Sequence, residues 1–303
     1  MALDSIRCYV ASTDYELAIV DVYNDTAVNE RCSNNSSIYF RKHCAASIYL
    51  EKTDWLLVLD ADSTVVNPNH CIEEYIDPNV NIIFYERFFN WEIAAGNYLA
   101  KNSAFTKNFL LKWASYEHYR GEVFWWKGFD NGALHMVVIE SVLPNDSQEI
   151  KNCRNIWHRS RNYETYVPFV ICVRFYLGAS RLWPGKIKIL RRGHGFCRDW
   201  YITNGLWTPK DFMLHGWKVQ HVLKNSSYFA FTKDINVTLC GQNLDGWPWK
   251  KESMVNTSNV KHLIAVAEKN YSNRLPKQNI VIPFLDQPDV ANCYPNCDTV
   301  DKI

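Results

Sequence analysis

The sequence contains no apolar run long enough to span a bilayer. Its longest stretches, residues 55–59 and 168–177, fall well short of the roughly 20 residues a membrane helix needs, and Arg174 interrupts the second. Nor does it open with the basic, apolar and small-residue succession of a secretory leader. The expectation is a chain without a transmembrane segment, signal or anchor of its own. A surplus of one charge is also lacking: 33 basic side chains face 32 acidic ones, for a formal net charge of +1. There is no global basic field to draw the chain to nucleic acid, which is excluded as a partner. Internal repeats are absent too. Apolar residues at 47% and charged residues at 21% exclude an intrinsically disordered chain.

What is present is rich in aromatic and sulfur side chains. Aromatics reach 15%, with 12 tryptophans, whose flat faces fill cores and also suit sugar rings. Ten cysteines form an even set, and a spacing such as Cys293-x-x-x-Cys297 does not match the short pairs of zinc sites, so disulfides are expected. Asn-x-Ser/Thr sequons occur at Asn24, Asn34, Asn35, Asn145, Asn225, Asn236, Asn256 and Asn270. Together with the cysteines they favour the secretory pathway.

Periodicity predicts helices over 1–13, 40–51, 71–76, 103–119, 130–142, 149–159, 163–176 and 260–269. It predicts strands over 16–22, 55–59, 81–85, 92–99 and 186–190. Strands alternating with helices indicate an α/β fold. Residues 124–130 form an aromatic loop, and 191–218 read as an irregular functional wall. Two parts are expected: a domain over 1–240 and an irregular C-terminal extension over 241–303, pinned by Cys293 and Cys297.

The chemistry concentrates where the apolar run Trp55-Leu56-Leu57-Val58-Leu59 meets Asp60-Ala61-Asp62. Residues two apart on a strand point to one side, so both carboxylates project beyond the strand's carboxyl end, where open α/β sheets keep their crevices. Two carboxylates about 4 Å apart repel by roughly 4 kcal/mol at an effective dielectric near 20. A shared proton or a divalent cation resolves the conflict, and Mg²⁺ or Mn²⁺ accepts such oxygen ligands. The alternative is that both aspartates cap the next helix or face water in a loop.

This run resembles the D-x-D signature of GT-A fold glycosyltransferases. From Ala2 to about Lys218 the chain resembles a nematode-expanded family of uncharacterised proteins, itself similar to fungal mannan and galactomannan glycosyltransferases and plant xyloglucan xylosyltransferases. The resemblance implies a GT-A-like sheet flanked by helices. Because the chain opens in the helix that would follow the first strand, that strand is expected to be missing. It also implies a nucleotide-sugar donor, a glycan or glycoprotein acceptor, retention of anomeric configuration and a Golgi or secretory setting.

Site residues follow motif by motif. His215-Gly216-Trp217-Lys218 resembles the segment that completes the metal site, which makes His215 a third ligand and sets Lys218 on the diphosphate; a hydrogen-bonded core histidine is the other reading. Ala95-Gly96-Asn97 resembles the strand lining the sugar pocket, with Gly96 allowing close approach and Asn97 meeting hydroxyls; a bulge is the alternative for Gly96. Asp130 and Asn131 resemble an Asp-Gln pair near the reacting carbon, although Asp130 also fits an N-cap and Asn131 departs from glutamine. Arg41, on the helix before the D-x-D strand, is a candidate diphosphate contact or a solvated base.

Two rivals use the same residues. Asp60-Ala61-Asp62-Ser63-Thr64-Val65 fits the motif of haloacid-dehalogenase-type phosphatases, where the first aspartate is a nucleophile. A catalytically degenerate fold that binds sugar or a partner is the other. The reading adopted is a metal-dependent enzyme that moves a hexose or pentose from a nucleotide-diphosphate donor, with Mn²⁺ or Mg²⁺ held by Asp60, Asp62 and His215.

Overall fold

The structure, a computed structural model, describes residues 1–88, 90–122, 129–218, 229–232, 234–241, 244–274 and 289–298. Its main sheet is formed by β1 (Trp55–Val58), β3 (Ile82–Tyr85), β4 (Tyr98–Lys101), β5 (Leu182–Trp183) and β6 (Ile187–Leu190), in the order β1-β4-β3-β6-β5. Only β3 and β6 pair in parallel; the other neighbours are antiparallel. A smaller sheet, β2-β8-β7, joins β2 (Thr64–Val65), β8 (Met213–His215) and β7 (Cys197–Asp199). The expected mixed sheet flanked by helices is observed.

Side-chain alternation lets the main sheet separate two cores. Ile82 and Phe84 of β3, Tyr98 and Ala100 of β4, and Ile187 and Ile189 of β6 point to one face. They meet the helices α3 (Ile38–Tyr49), α4 (Ala104–Ser115), α5 (Asp130–Val142), α6 (Gln148–Arg159) and α7 (Tyr163–Leu177). Trp113 of α4 is fully buried there, and its truncation to alanine should cost about 3–5 kcal/mol. Ile83, Tyr85 and Leu99 point the other way, against α1 (Ala2–Val10), the smaller sheet and Trp217. Helix α4 starts at the expected serine: Ser103 Oγ accepts from the Thr106 amide at 3.1 Å.

Several expectations change. Residues 16–22 join no sheet; Leu17 and Ile19 are exposed, while Val20 and Val22 pack against Val28, Cys44 and Ile48. The strand expected over 92–99 is reduced to β4 at Tyr98–Lys101, preceded by a single bridge from Glu86 to Ile93. The wall at 191–218 contains β7 and β8, each three residues long and too short to show a period. The described part of the C-terminal extension is well packed. Trp247 joins the core around Val65 and Phe231, and a helix at Thr257–Arg274 sets Val260 and Ile264 against Phe88 and Ile202.

Eight cysteines pair: Cys8 with Cys240, Cys32 with Cys44, Cys153 with Cys172, and Cys293 with Cys297. Cys71 and Cys197 are free. The Cys8–Cys240 link ties α1 to the end of the expected domain across a separation of 232 residues. Such pairing belongs to an oxidising, secretory-type environment. Among the described residues no helix is long and apolar enough to cross a membrane.

Candidate functional site

The acidic pair sits where β1 leaves the edge of the main sheet and the chain passes to the smaller one. Asn97 fixes the crossing: its Oδ1 accepts from the Asp60 amide at 2.8 Å and from Ser63 Oγ at 2.9 Å. The β2–β8 pairing then brings His215 alongside, and the carbonyl of Asp62 accepts from the amides of Gly216 and Trp217, both at 3.1 Å. Gly216 has φ +95°, a left-handed conformation that costs glycine little.

The result is a compact set of donors. His215 Nε2 lies 3.3 Å from Asp62 Oδ1 and 3.7 Å from Asp60 Oδ2, and one ligand atom from each of the three lies within 4.8 Å of the others. Gly96 runs directly behind: a Cβ there would stand 2.3 Å from Asp60 Oδ2 and 3.5 Å from His215 Nε2. The three side chains face a cavity of 420 Å³, which Lys42, Asp130, Asn131, Trp200 and Lys218 also line.

Asp199 of β7 orients the imidazole. Its Oδ1 lies 2.9 Å from His215 Nδ1, and Arg87 holds the same carboxylate through Nε at 3.0 Å and Nη2 at 3.2 Å. Burial pulls the His215 imidazole down, but the bond to Asp199 and the facing Asp60 and Asp62 outweigh it and hold its pKa well above the usual range. Burial likewise pushes Asp60 up, and Lys42 with His215 more than reverses this, so Asp60 titrates well below the ordinary carboxylate range. Asp62 is also lowered against burial, by His215 and more weakly by Lys218. Two carboxylates thus face the ring, and their charge favours its protonated form. One oxygen from each carboxylate and the imidazole Nε2 lie close enough together that they could hold a divalent cation in place of that proton.

Lys42 of α3 joins this set to the helix beyond. Its Nζ lies 2.9 Å from Asp60 Oδ1 and 2.7 Å from Asp130 Oδ2, and Asp130 opens α5 almost wholly buried. His43 stacks on Trp113 with ring centroids 3.4 Å apart and approaches Asp130 at 3.7 Å; burial pulls its pKa down to about 4, so it is neutral. The Asn131 carboxamide oxygen accepts from the Ala95 amide at 3.2 Å.

The structure thus gathers Asp60, Asp62, His215, Gly96, Asp130, Asn131 and Lys218 around one cavity. Two expected contacts lie elsewhere. Arg41 is buried and donates to the carbonyls of Val22, Cys32 and Asn35 and to Asn29 Oδ1, clamping the short helix α2 (Thr26–Arg31) and the chain on either side of it. The cation at the cleft is its neighbour Lys42. Asn97 is fully buried behind Asp60, also bonded to Tyr85 and Cys197, so it shapes the turn and does not line the cavity. Of the aromatic loop at 124–130, residues 124–128 lie outside the described residues. Arg87 and Lys42 carry no local sequence signal of their place here, and the mixed Gly, His, Trp and Asp composition of 191–218 is the signal for Asp199.

Fold and cleft together define a mixed α/β protein with an acidic and imidazole cradle at the edge of its sheet. The chain belongs to the family described as "Protein of unknown function, DUF273", whose profile matches residues 6–230. That span takes in both sheets and every residue of the cradle. No curated protein matches the chain. Among solved structures it is similar to the "crystal structure of a glycosyltransferase involved in the glycosylation of the major capsid of PBCV-1", at 14% identity and a TM-score of 0.29, covering 71% of this chain and 84% of that one.

Proposed function

We propose that the chain is a metal-dependent glycosyltransferase, moving a hexose or pentose from a nucleotide-diphosphate donor to a glycan or glycoprotein acceptor. The observation that carries this reading is the convergence of Asp60, Asp62 and His215 on one open cavity with Lys218 on its wall. When bound, a Mn²⁺ or Mg²⁺ ion supplies charge neutralisation to a departing diphosphate. Lys218 offers the same leaving group an ammonium, and Asp199 keeps the His215 Nε2 turned toward the cavity. Asp130 and Asn131, at the N-terminus of α5, face the space left for the sugar. Lys42 holds Asp130 against Asp60, so the sugar-facing and cation-facing carboxylates keep a fixed separation. The motif resemblance makes the reaction retaining, and no dedicated general base is assigned.

The phosphatase reading fares worse. Asp60 is held by Lys42 and faces His215, and β1 lies at the sheet edge beside an antiparallel neighbour. A Golgi or secretory setting accords with the four disulfides and with sequon asparagines exposed at 24, 34, 145, 236, 256 and 270; Asn35 is buried and donates to the Ala114 carbonyl. Asn225 lies outside the described residues.

The test is incubation of the chain with UDP- and GDP-sugars, Mn²⁺ and a mixture of glycan and glycoprotein acceptors, following release of nucleoside diphosphate as the sugar passes to an acceptor hydroxyl or to water. Metal-dependent release from one donor is expected. Release from none, with the donors intact and the protein folded, would count against turnover and leave a degenerate binding fold.

A further inference from the structure

A second cavity, of 520 Å³, opens at the other end of the β2–β8 ribbon from Asp62 and His215. It is reached where Val66 and Asn67 leave β2, both donating to the Phe212 carbonyl, about 15 Å along the strand from Asp62 at about 3.3 Å per residue. Its size is that of a small-ligand pocket.

Its walls are carbon faces. Trp247 and Trp249 stand nearly parallel, with centroids 5.5 Å apart and planes at 9°, and Trp207 lies 6.4 Å from Trp249. The indole N–H groups of two of them are committed to the protein: Trp249 Nε1 donates to the Val66 carbonyl at 2.9 Å and Trp207 Nε1 to Ser253 Oγ at 3.3 Å. Trp207 and Trp247 are buried behind the wall, and the half-buried Trp249 offers a ligand apolar surface. Leu244 and Met254 continue it, and both are about half exposed although they line a concavity.

The charged side chains on the lining, Lys250 and Lys251, carry one sign; the Asn67 amide is held by the Pro209 carbonyl and by Asn69, and among the described residues no carboxylate lines the space. Flat apolar walls suit the C–H face of a pyranose, and an all-basic rim suits an anionic substituent on it. A membrane surface would need these groups to protrude, whereas they line a recess.

We propose that this cavity is a saccharide-binding site for an acidic pyranose, that is, for a uronic-acid-bearing oligosaccharide. It is separate from the cation cradle, so nucleotide binding reports on one site and saccharide binding on the other.

The full chain is titrated by calorimetry with a tetrasaccharide of alternating glucuronic acid and N-acetylglucosamine, and with neutral tetra-N-acetylchitotetraose. Saturable binding of the acidic sugar alone is expected. It should weaken about tenfold or more in Lys250→Gln/Lys251→Gln and be lost in Met254→Asp, a half-exposed position where substitution should leave the melting temperature unchanged. The proposal is overturned by absence of saturable binding, by equal binding of the neutral sugar, or by affinity that these variants do not alter. Sedimentation with phosphatidylserine vesicles that the lysine variant abolishes, without sugar binding, would overturn it in favour of a membrane contact.

Discussion

Asp199 and His215 form a 2.9 Å hydrogen bond between Oδ1 and Nδ1, and this bond leaves the His215 Nε2 facing Asp60 and Asp62. A carboxylate behind an imidazole fixes its tautomer and raises its basicity as a ligand. Asp199→Asn keeps the shape but removes the charge. Its Mn²⁺ affinity should fall about 10–100-fold, measured by calorimetry, while the melting temperature shifts little beyond the loss of the Arg87 pair.

The same geometry sets the pH dependence. With its folded pKa raised above the ordinary 6.5, His215 contributes stability to the cation-free protein that is fully present below about pH 6.5 and is lost as pH rises through the folded value. Cation binding must displace that proton. Mn²⁺ affinity should therefore climb with pH through this window, by at most about tenfold per unit, and titrations in buffers of different protonation enthalpy should report a released proton. A flat pH profile would mean that the imidazole does not bind the ion.

Gly96 is required by contact, not by backbone strain, since a Cβ would lie 2.3 Å from Asp60 Oδ2. Gly96→Ala must push Asp60 out of the cradle. The expected result is a loss of about 1–3 kcal/mol in denaturant unfolding and a Mn²⁺ affinity reduced about tenfold or more.

Lys42 lies between two carboxylates, and its side chain is 19% exposed. Lys42→Met leaves Asp130 buried without its cation and should cost about 2–4 kcal/mol, somewhat below the full penalty for a wholly buried pair. Adding Asp130→Asn should recover a large part of that loss, and a double-mutant cycle by urea unfolding measures the coupling. Strict additivity would show that the pair is not coupled.

One strong local signal marks the acidic pair in the sequence. An apolar strand running straight into Asp60 and Asp62 located the acidic pair, and His215 followed by Gly216 and Lys218 supplied its neighbour. Helix α5 begins at Asp130 as expected, and it is buried continuously from Gly132 to Ile139, so its signal is a long apolar stretch. The failures have a common cause, which is that orientation depends on packing. Arg41 and Lys42 are adjacent on a helix buried on more than one side, and only the fold decides that Lys42 meets the cleft while Arg41 clamps α2 and the chain beside it. Asn97, next to the cavity-lining Gly96, points inward and holds the Asp60 amide. Asp199 lies on a three-residue strand, which has no readable period, and its partner Arg87 is 112 positions away.

The central claim is that Asp60, Asp62 and His215 hold a divalent cation for a nucleoside diphosphate. Its most direct test is calorimetric titration of the wild-type chain and of Asp62→Ala with UDP and GDP, with and without Mn²⁺. The account predicts that one nucleotide binds the wild type only when Mn²⁺ is present, and that Asp62→Ala abolishes this binding with the fold intact by circular dichroism. Equal binding with and without the metal, or wild-type affinity in Asp62→Ala, would contradict it.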